Sequence, residues 1–139
     1  MKNSTGVPKG PVQILVVEDE ALIRMLLVDY LDELGFVSDV AGTAEEARAK
    51  LCTLGADLDA VIMDLGLPDA ADGTLVEEFR GLHPTMPIII ASGYDMRTLR
   101  ERFAGLPAQD FLTKPFRIDD VRTSLARLGI IGRASSPKS

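Results

Sequence analysis

The sequence predicts a doubly wound α/β domain, in which a parallel five-stranded sheet is covered by helices on both faces to give three layers. Five strand-like segments alternate with five helix-like segments along the chain. This alternation is typical of parallel strands joined by right-handed helical crossovers. Three of the strands are continuous apolar runs, at 14–17, 60–63 and 88–91, and such runs indicate strands that are buried on both faces.

The first half of the chain supplies three strands and two helices. The strands are predicted at 13–17, 37–41 and 60–64, and the helices at 21–34 and from Thr43 to about Leu54. Apolar residues at helical spacing predict the first helix, and Gly35 suits the left-handed residue that often follows a helix end. Thr43 and Glu46 have the Thr-x-x-Glu spacing of a capping box, which predicts the start of the second helix.

The second half repeats the alternation. The last two strands are predicted at 88–91 and 110–113, and the last helix at about 118–128. Asp72 and Asp95 are suited to cap the third and fourth helices. The third helix is predicted to bury a stripe that includes Phe79 and Leu82, and the second helix is predicted to bury Cys52 as a small apolar residue.

Composition is that of an ordinary globular domain. The 139 residues suit one folded unit, predicted at 12–129, with flexible tails at 1–11 and 130–139. A formal net charge of −6 disfavours direct nucleic-acid binding, which needs a basic surface. No apolar stretch approaches the roughly 20 residues that cross a bilayer. A secretory signal is not evident either, so we expect a cytoplasmic protein without membrane insertion.

Polar residues follow the predicted strands at their carboxyl ends. Glu18 and Asp19 follow the first strand, Asp64 ends the third, and Ser92 and Lys114 follow the fourth and fifth. Open parallel sheets bind ligands beyond these ends, where the strand order reverses. We therefore expect three carboxylates, a hydroxyl and an ammonium to share one pocket.

Three neighbouring carboxylates repel one another and require a cation. Mg²⁺ suits them because it prefers oxygen ligands, and Mn²⁺ is a substitute with similar preferences. Asp19 and Asp64 are predicted to bind the cation directly, and Glu18 to act through a water. The backbone carbonyl of Gly66 is predicted to supply a further ligand.

The chemistry that suits this pocket is phosphoryl transfer, with Asp64 as the nucleophile that becomes an aspartyl phosphate. Lys114 and the cation would neutralise charge on the transferring oxygens, and Ser92 would donate its hydroxyl to one of them. Pro115 restricts the preceding residues and sets the direction of this loop. The sequence does not decide whether the Lys114–Pro115 peptide bond is cis or trans.

With these motifs the chain resembles a response-regulator receiver domain of bacterial two-component signalling. The matching residues are Glu18-Asp19, Asp64 with Leu67-Pro68, Ser92 after 88–91, and Lys114-Pro115-Phe116, and the resemblance covers about 12–128. It implies a flavodoxin-like sheet of strand order 2-1-3-4-5. It also implies Mg²⁺-dependent phosphorylation of Asp64 by a histidine kinase or a histidine phosphotransfer protein.

The resemblance further implies a conformational switch. Ser92 would move towards the phosphoryl group and Phe111 would rotate inward. The surface of the fourth helix, fifth strand and fifth helix would then change shape for an unknown downstream protein, and dimerisation on phosphorylation is left open. Gly93 stands where alanine is more usual, which should loosen its loop. Gly66 and Tyr94 occupy positions that tune adduct lifetime in the family, but they act in opposite directions, so no lifetime is predicted.

Several functions compete for this sequence. The first is a stand-alone phosphoacceptor without an output domain, which is not an enzyme beyond self-phosphorylation and slow autodephosphorylation. The alternative is a receiver domain from a hybrid histidine kinase. A Mg²⁺-dependent aspartyl-phosphate phosphatase would carry a second Asp two residues after the nucleophile, where this chain has Gly66. A flavodoxin-like cofactor binder is disfavoured because Glu18, Asp19 and Glu20 would repel phosphate.

Overall fold

The computed structural model describes residues 11–69, 74–93, 96–103 and 109–131. Within these ranges, five strands alternate with five α-helices. The strands are β1 Gln13–Val17, β2 Val37–Ala41, β3 Ala60–Asp64, β4 Ile88–Ser92 and β5 Gln109–Thr113. The helices are α1 Ala21–Glu33, α2 Ala44–Leu54, α3 Thr74–Leu82, α4 Met96–Arg102 and α5 Ile118–Arg127, and a short 3-10 helix covers Gly55–Asp57.

The strands form one parallel sheet of order β2-β1-β3-β4-β5. This confirms the predicted doubly wound fold and its strand order. The chain therefore runs to one edge of the sheet through β1 and β2, and then crosses back to build β3, β4 and β5 on the other side. The order reverses between β1 and β3, and the carboxyl ends of these two strands flank the switch point where such folds bind ligands.

Two apolar cores lie on the two faces of the sheet, as a three-layer arrangement requires. Alternate strand residues contribute to each face, because successive side chains of a strand point in opposite directions. One core includes Val61, Ile88 and Ile90 of the sheet with residues of α2 and α3. The other includes Ile62 and Ile89 with residues of α1 and α5.

Helix ends follow the predicted signals where the structure describes them. Gly35 has a φ of 90°, and the Phe36 N–H donates to the carbonyl of Leu31 at 2.8 Å. This is the left-handed helix end that glycine favours. At the start of α2, Thr43 Oγ1 accepts a hydrogen bond from the Glu46 N–H at 3.1 Å, while the Glu46 carboxylate accepts one from the Gly42 N–H at 2.6 Å.

Two burial predictions are wrong. Leu82 is 64% exposed, because it ends α3 and the buried position near it is taken by Arg80. The Arg80 guanidinium is buried, and it donates hydrogen bonds to the carbonyl oxygens of residues 83, 84 and 86. Cys52 is also exposed, since α2 turns Ala44, Ala47 and Leu51 towards the sheet instead.

Element bounds differ slightly from the predictions. β4 includes Ser92, and β5 begins at Gln109. The predicted caps Asp72 and Asp95 lie outside the described residues. The predicted tails at 1–11 and 130–139 lie almost wholly outside them too, and both remain predictions. Of the helices in the described ranges, none is long and apolar enough to span a bilayer.

Candidate metal and phosphoacceptor site

The parallel sheet brings the predicted site residues to one pocket. Asp64 ends β3 and Ser92 ends β4, while Glu18 directly follows β1 and Lys114 directly follows β5. The register pairs Asp64 with Ala91 and Ser92 with Thr113, so these strands end close to the same level. The pocket has a volume of about 530 Å³ and is lined by Asp19, Glu20, Asp64, Leu65, Gly66, Ser92, Gly93 and Lys114.

Three carboxylates meet at this pocket. Glu18, Asp19 and Asp64 each place one oxygen within 4.8 Å of the others. Glu18 and Asp64 are 1% and 6% exposed, whereas Asp19 is open to solvent. The cluster therefore combines two buried carboxylates with one that is open to solvent, and Asp19 and Asp64 line the pocket directly.

Glu18 has an oxygen whose hydrogen-bonding capacity is not used by the protein. Its Oε2 accepts a hydrogen bond from the Glu20 N–H at 3.2 Å. Its Oε1 is buried and receives no hydrogen bond of good geometry from the described residues, although Lys114 Nζ lies 3.1 Å away. A buried acceptor in this condition is costly unless another group meets it.

Lys114 balances part of the acidic charge. Its Nζ donates a hydrogen bond to Asp64 Oδ1 at 3.0 Å and forms an ion pair with Glu18. Three carboxylates face one ammonium in this cluster, which leaves negative charges that the lysine does not balance. A divalent cation would neutralise them, and carboxylate oxygens are the ligands that Mg²⁺ prefers. The residues present therefore fit Mg²⁺.

Burial, neighbouring charges and hydrogen bonds together shift the pKa values of Glu18 and Lys114. Burial raises the pKa of Glu18 above its ordinary value. The charge of Asp64 adds to this effect, while the Glu20 N–H and the Lys114 ammonium oppose it. Burial lowers the pKa of Lys114, but the hydrogen bond and charge of Asp64, together with Glu18, outweigh it and raise that pKa. Lys114 is therefore a cation at neutral pH.

Gly66 leaves the approach to Asp64 open. A Cβ atom added at Gly66 would lie 3.5 Å from Asp64 Oδ2 and 3.6 Å from Oδ1. Any side chain at this position would thus cover the carboxylate that is predicted to react. Tyr94, the second position predicted to tune adduct lifetime, lies outside the described residues.

The two residues predicted to switch are both buried. Ser92 is buried at the end of β4, and its carbonyl accepts a hydrogen bond from the Lys114 N–H at 2.8 Å. Phe111 is buried in the core on the face of the sheet that α2 and α3 cover, and the guanidinium carbon of Arg100 in α4 lies 5.5 Å from its ring centroid. Phe111 is thus inward in this structure. The Lys114–Pro115 peptide bond is cis, and Gly93 is exposed beside the pocket.

Two residues near the site were missed by the sequence reasoning. Arg24 Nη1 donates to the Glu18 carbonyl oxygen at 2.9 Å, which ties α1 to the turn that carries Glu18 and Asp19. Asp69 accepts hydrogen bonds from the first backbone N–H groups of α2. No local sequence pattern indicated a role for Arg24. For Asp69, the one indication in the sequence was its position five residues after Asp64.

A larger groove, of about 790 Å³, lies beside β2 and α2, but its charged groups are already engaged. Lys50 pairs with Asp39 at 3.2 Å, and Glu46 accepts the Gly42 N–H. The acidic pocket at the strand ends is the better candidate, because its carboxylates converge on one point and retain unbalanced charge.

A parallel five-stranded sheet with an acidic cluster and a lysine at its carboxyl edge agrees with the comparison to known families. Residues 14–126 match the family model of the response regulator receiver domain. The chain belongs to this family, as the sequence motifs predicted.

Individual relatives come from several bacteria. The two-component response regulator PhoP of Pseudomonas aeruginosa is 35% identical over 127 residues, which are 90% of this chain and 53% of PhoP. The sensor kinase CckA of Brucella abortus is 33% identical over 123 residues, 86% of this chain and 13% of the kinase. The response regulator TrrA of Thermotoga maritima, solved in complex with Mg²⁺-BeF, is 30% identical with a TM-score of 0.73, covering 84% of this chain and 98% of TrrA.

The chain spans about half the length of PhoP and a smaller part of the sensor kinase. Receiver domains of this family thus occur among its relatives both in response regulators and in a kinase.

Proposed function

We propose that this domain accepts a phosphoryl group on Asp64, with Mg²⁺, from the phosphohistidine of a histidine kinase or a histidine phosphotransfer protein. The observation that carries the proposal is the convergence of three carboxylates within 4.8 Å, one of which, Asp64, also receives a hydrogen bond from Lys114. Membership of the receiver family and the similarity to a regulator solved with Mg²⁺-BeF support it.

The reaction is a displacement at phosphorus. An Asp64 carboxylate oxygen forms the new O–P bond while the N–P bond of the phosphohistidine breaks. The imidazole leaves with the electron pair of that bond and takes up a proton from solvent. The product on this chain is a mixed anhydride of a carboxylic and a phosphoric acid, which stores the transferred group for later hydrolysis.

The protein's part in this step is electrostatic positioning. Lys114, already 3.0 Å from Asp64, would follow the negative charge onto a transferred oxygen. Asp19, Asp64, the Gly66 carbonyl and, through water, Glu18 would hold the cation, with Mn²⁺ as a substitute. Bound Mg²⁺ would supply the charge that offsets repulsion between the donor phosphoryl group and the carboxylates.

The open space over Asp64 suits a macromolecular donor. Gly66 presents no side chain at the carboxylate, so a phosphohistidine ring can approach from the solvent side. Gly66 also disfavours an aspartyl-phosphate phosphatase acting on small substrates, because such an enzyme would carry its acid–base Asp at this position, two residues after the nucleophile. We therefore treat the domain as a phosphoacceptor and not an enzyme, acting in the cytoplasm.

The output is proposed to be a change in the surface of α4, β5 and α5, in which Ser92 and Phe111 respond to the phosphoryl group. A downstream protein that recognises this surface would receive the signal. The relatives include two-component response regulators and a sensor kinase, and the phosphoacceptor step that we propose for this domain suits both settings.

The proposal is tested by intact-mass spectrometry after incubation with acetyl phosphate and Mg²⁺. The parent chain should gain one phosphoryl group, Asp64→Asn should gain none, and a chelator should stop the gain in the parent. Asp57→Asn is the matched control, because Asp57 is exposed and lies in the 3-10 helix away from the pocket. Equal labelling of Asp64→Asn and Asp57→Asn would refute Asp64 as the acceptor.

A further inference from the structure

We propose that Asp69 is a positioning residue of the cation site. By holding the first backbone N–H groups of α2, it would fix the segment 65–69 and, with it, the Gly66 backbone that faces the pocket. This inference rests on the proposed Mg²⁺-dependent function of the domain, and it assigns a role to the start of α2, which the chemistry of the pocket does not otherwise use.

Asp69 joins two distant parts of the chain through two hydrogen bonds. Its Oδ1 accepts from the Ala44 N–H at 2.8 Å, and its Oδ2 accepts from the Glu45 N–H at 3.2 Å. The first N–H groups of a helix have no partner within the helix. The side chain of Thr43, the local cap, accepts from the Glu46 N–H, and Asp69 accepts from the two N–H groups before it, those of Ala44 and Glu45.

The Ala44 N–H depends on this partner. Ala44 is fully buried against the sheet, so water has little access to its backbone. A buried N–H group without an acceptor is destabilising. If Asp69 were absent, we expect the start of α2 and the segment 65–69 to shift relative to each other until the group found another acceptor.

The carboxylate of Asp69 is ionised across the neutral range. The hydrogen bond from the Ala44 N–H holds its pKa below the ordinary value against a smaller effect of desolvation, and the Glu45 N–H and the charge of Arg48 also lower that pKa. Glu45 and Glu46 already supply negative charge to the first turn of α2, so attraction to the helix end alone does not account for a third carboxylate there. Asp69 differs from Glu45 and Glu46 because it connects the start of α2 to the segment 65–69.

The segment held by Asp69 is the one that contributes Gly66 to the pocket. Leu65 donates its N–H to the Ala91 carbonyl at 3.2 Å, and the side chains of Leu65 and Leu67 are buried in the core. Gly66 lies between them and has the widest backbone freedom of any residue. Residues 68 and 69 are exposed, so apolar burial does not hold the carboxyl end of the segment 65–69. The two hydrogen bonds of Asp69 hold that end instead.

The test compares two variants that each remove a cap from α2, only one of which belongs to the segment after Asp64. Asp69→Ala removes both tertiary hydrogen bonds, whereas Thr43→Ala removes the local one. We expect both to lower the melting temperature. The affinity for Mg²⁺ at pH 7, measured by isothermal titration calorimetry, should fall roughly tenfold in Asp69→Ala, as for other groups that orient metal ligands, and by less than about twofold in Thr43→Ala.

Asp69→Asn provides the conservative comparison. Its amide oxygen can still accept from the Ala44 N–H, so its Mg²⁺ affinity should lie between those of the parent and Asp69→Ala. If Asp69→Ala does not fold, the Mg²⁺ affinity of Asp69→Asn is compared with that of Thr43→Ala instead, so the test remains decisive.

The possible outcomes distinguish the positioning role of Asp69 from the proposed phosphoacceptor function. Equal Mg²⁺ affinity in the Asp69 variants and in Thr43→Ala, with normal binding by the parent, would overturn the positioning role and leave the phosphoacceptor function intact. Failure of the parent itself to bind Mg²⁺ would overturn the proposed function, and the role of Asp69 with it. A loss confined to the Asp69 variants supports both.

Discussion

Replacement of Lys114 by Met should destabilise the metal-free protein and make its stability depend strongly on Mg²⁺. Lys114 Nζ lies 3.0 Å from Asp64 and 3.1 Å from Glu18, two carboxylates that are almost wholly buried. Removal of one partner from a buried ion pair costs about 3–5 kcal/mol, because the remaining charge is left without compensation.

Two features of the pocket reduce this cost. Lys114 is 22% exposed, so solvent already screens part of the interaction. Glu18 has a raised pKa and can take up a proton when its partner is lost, which limits the penalty. We therefore expect Lys114→Met to lower the free energy of unfolding by about 2–3 kcal/mol, just below the usual range for buried pairs. For a chain of this size, this corresponds to a fall of roughly 10 °C in melting temperature.

Saturating Mg²⁺ should reverse most of this loss. The cation adds positive charge to the same carboxylates, so it replaces the missing ammonium, and the difference between parent and variant should shrink to less than about 1 kcal/mol. The assay is thermal and urea unfolding followed by circular dichroism, with and without Mg²⁺.

Lys50→Met is the matched control for this experiment. Lys50 pairs with Asp39 at 3.2 Å, but both side chains are substantially exposed, so its removal should cost less than about 1 kcal/mol and should not respond to Mg²⁺. The reasoning is refuted if the two lysine variants lose the same stability, or if the Lys114→Met difference is unchanged by Mg²⁺.

Three further predictions concern the core, a helix end and the switch. Phe79→Ala should lower the free energy of unfolding by about 3–5 kcal/mol, because Phe79 is fully buried between α3 and the sheet; urea titration checks this, and a loss below about 1 kcal/mol would contradict it. Gly35→Ala should cost about 1 kcal/mol in the same assay, since its φ of 90° is left-handed; an unchanged midpoint would show that the helix end tolerates a side chain. Ser92→Ala should still take up phosphoryl on Asp64, but should lose the phosphorylation-dependent change in amide exchange over α4 and β5, and a parent-like exchange response would exclude Ser92 from the switch.

The sheet was predictable because its strands are unusually clear in the sequence. Runs such as Ile88-Ile89-Ile90 are apolar on both faces, and only a strand covered on both sides accommodates them. Polar residues end each run, which marked the carboxyl edge. The strand order 2-1-3-4-5 came from resemblance, because no local pattern states which strands are neighbours.

The site was predictable to the extent that strand ends fix it. Glu18, Asp64 and Lys114 meet because each lies within one residue of a strand end. Burial was harder to predict. From sequence alone an arginine is expected at the surface. Arg80 is buried instead, because three backbone carbonyl oxygens accept hydrogen bonds from its guanidinium. The role of Asp69 at α2 depends on contact between residues 24 and 25 positions apart, which only the folded chain reveals.

The most direct test of the central claim is to locate the phosphoryl group. Borohydride reduces an aspartyl phosphate to homoserine, and peptide mass mapping then identifies the modified position. After incubation with acetyl phosphate and Mg²⁺, we predict homoserine at position 64 and at no other acidic residue. Homoserine at position 19, or a phosphoryl group that resists borohydride and remains on Ser92 or His83, would contradict the assignment of Asp64 as the phosphoacceptor.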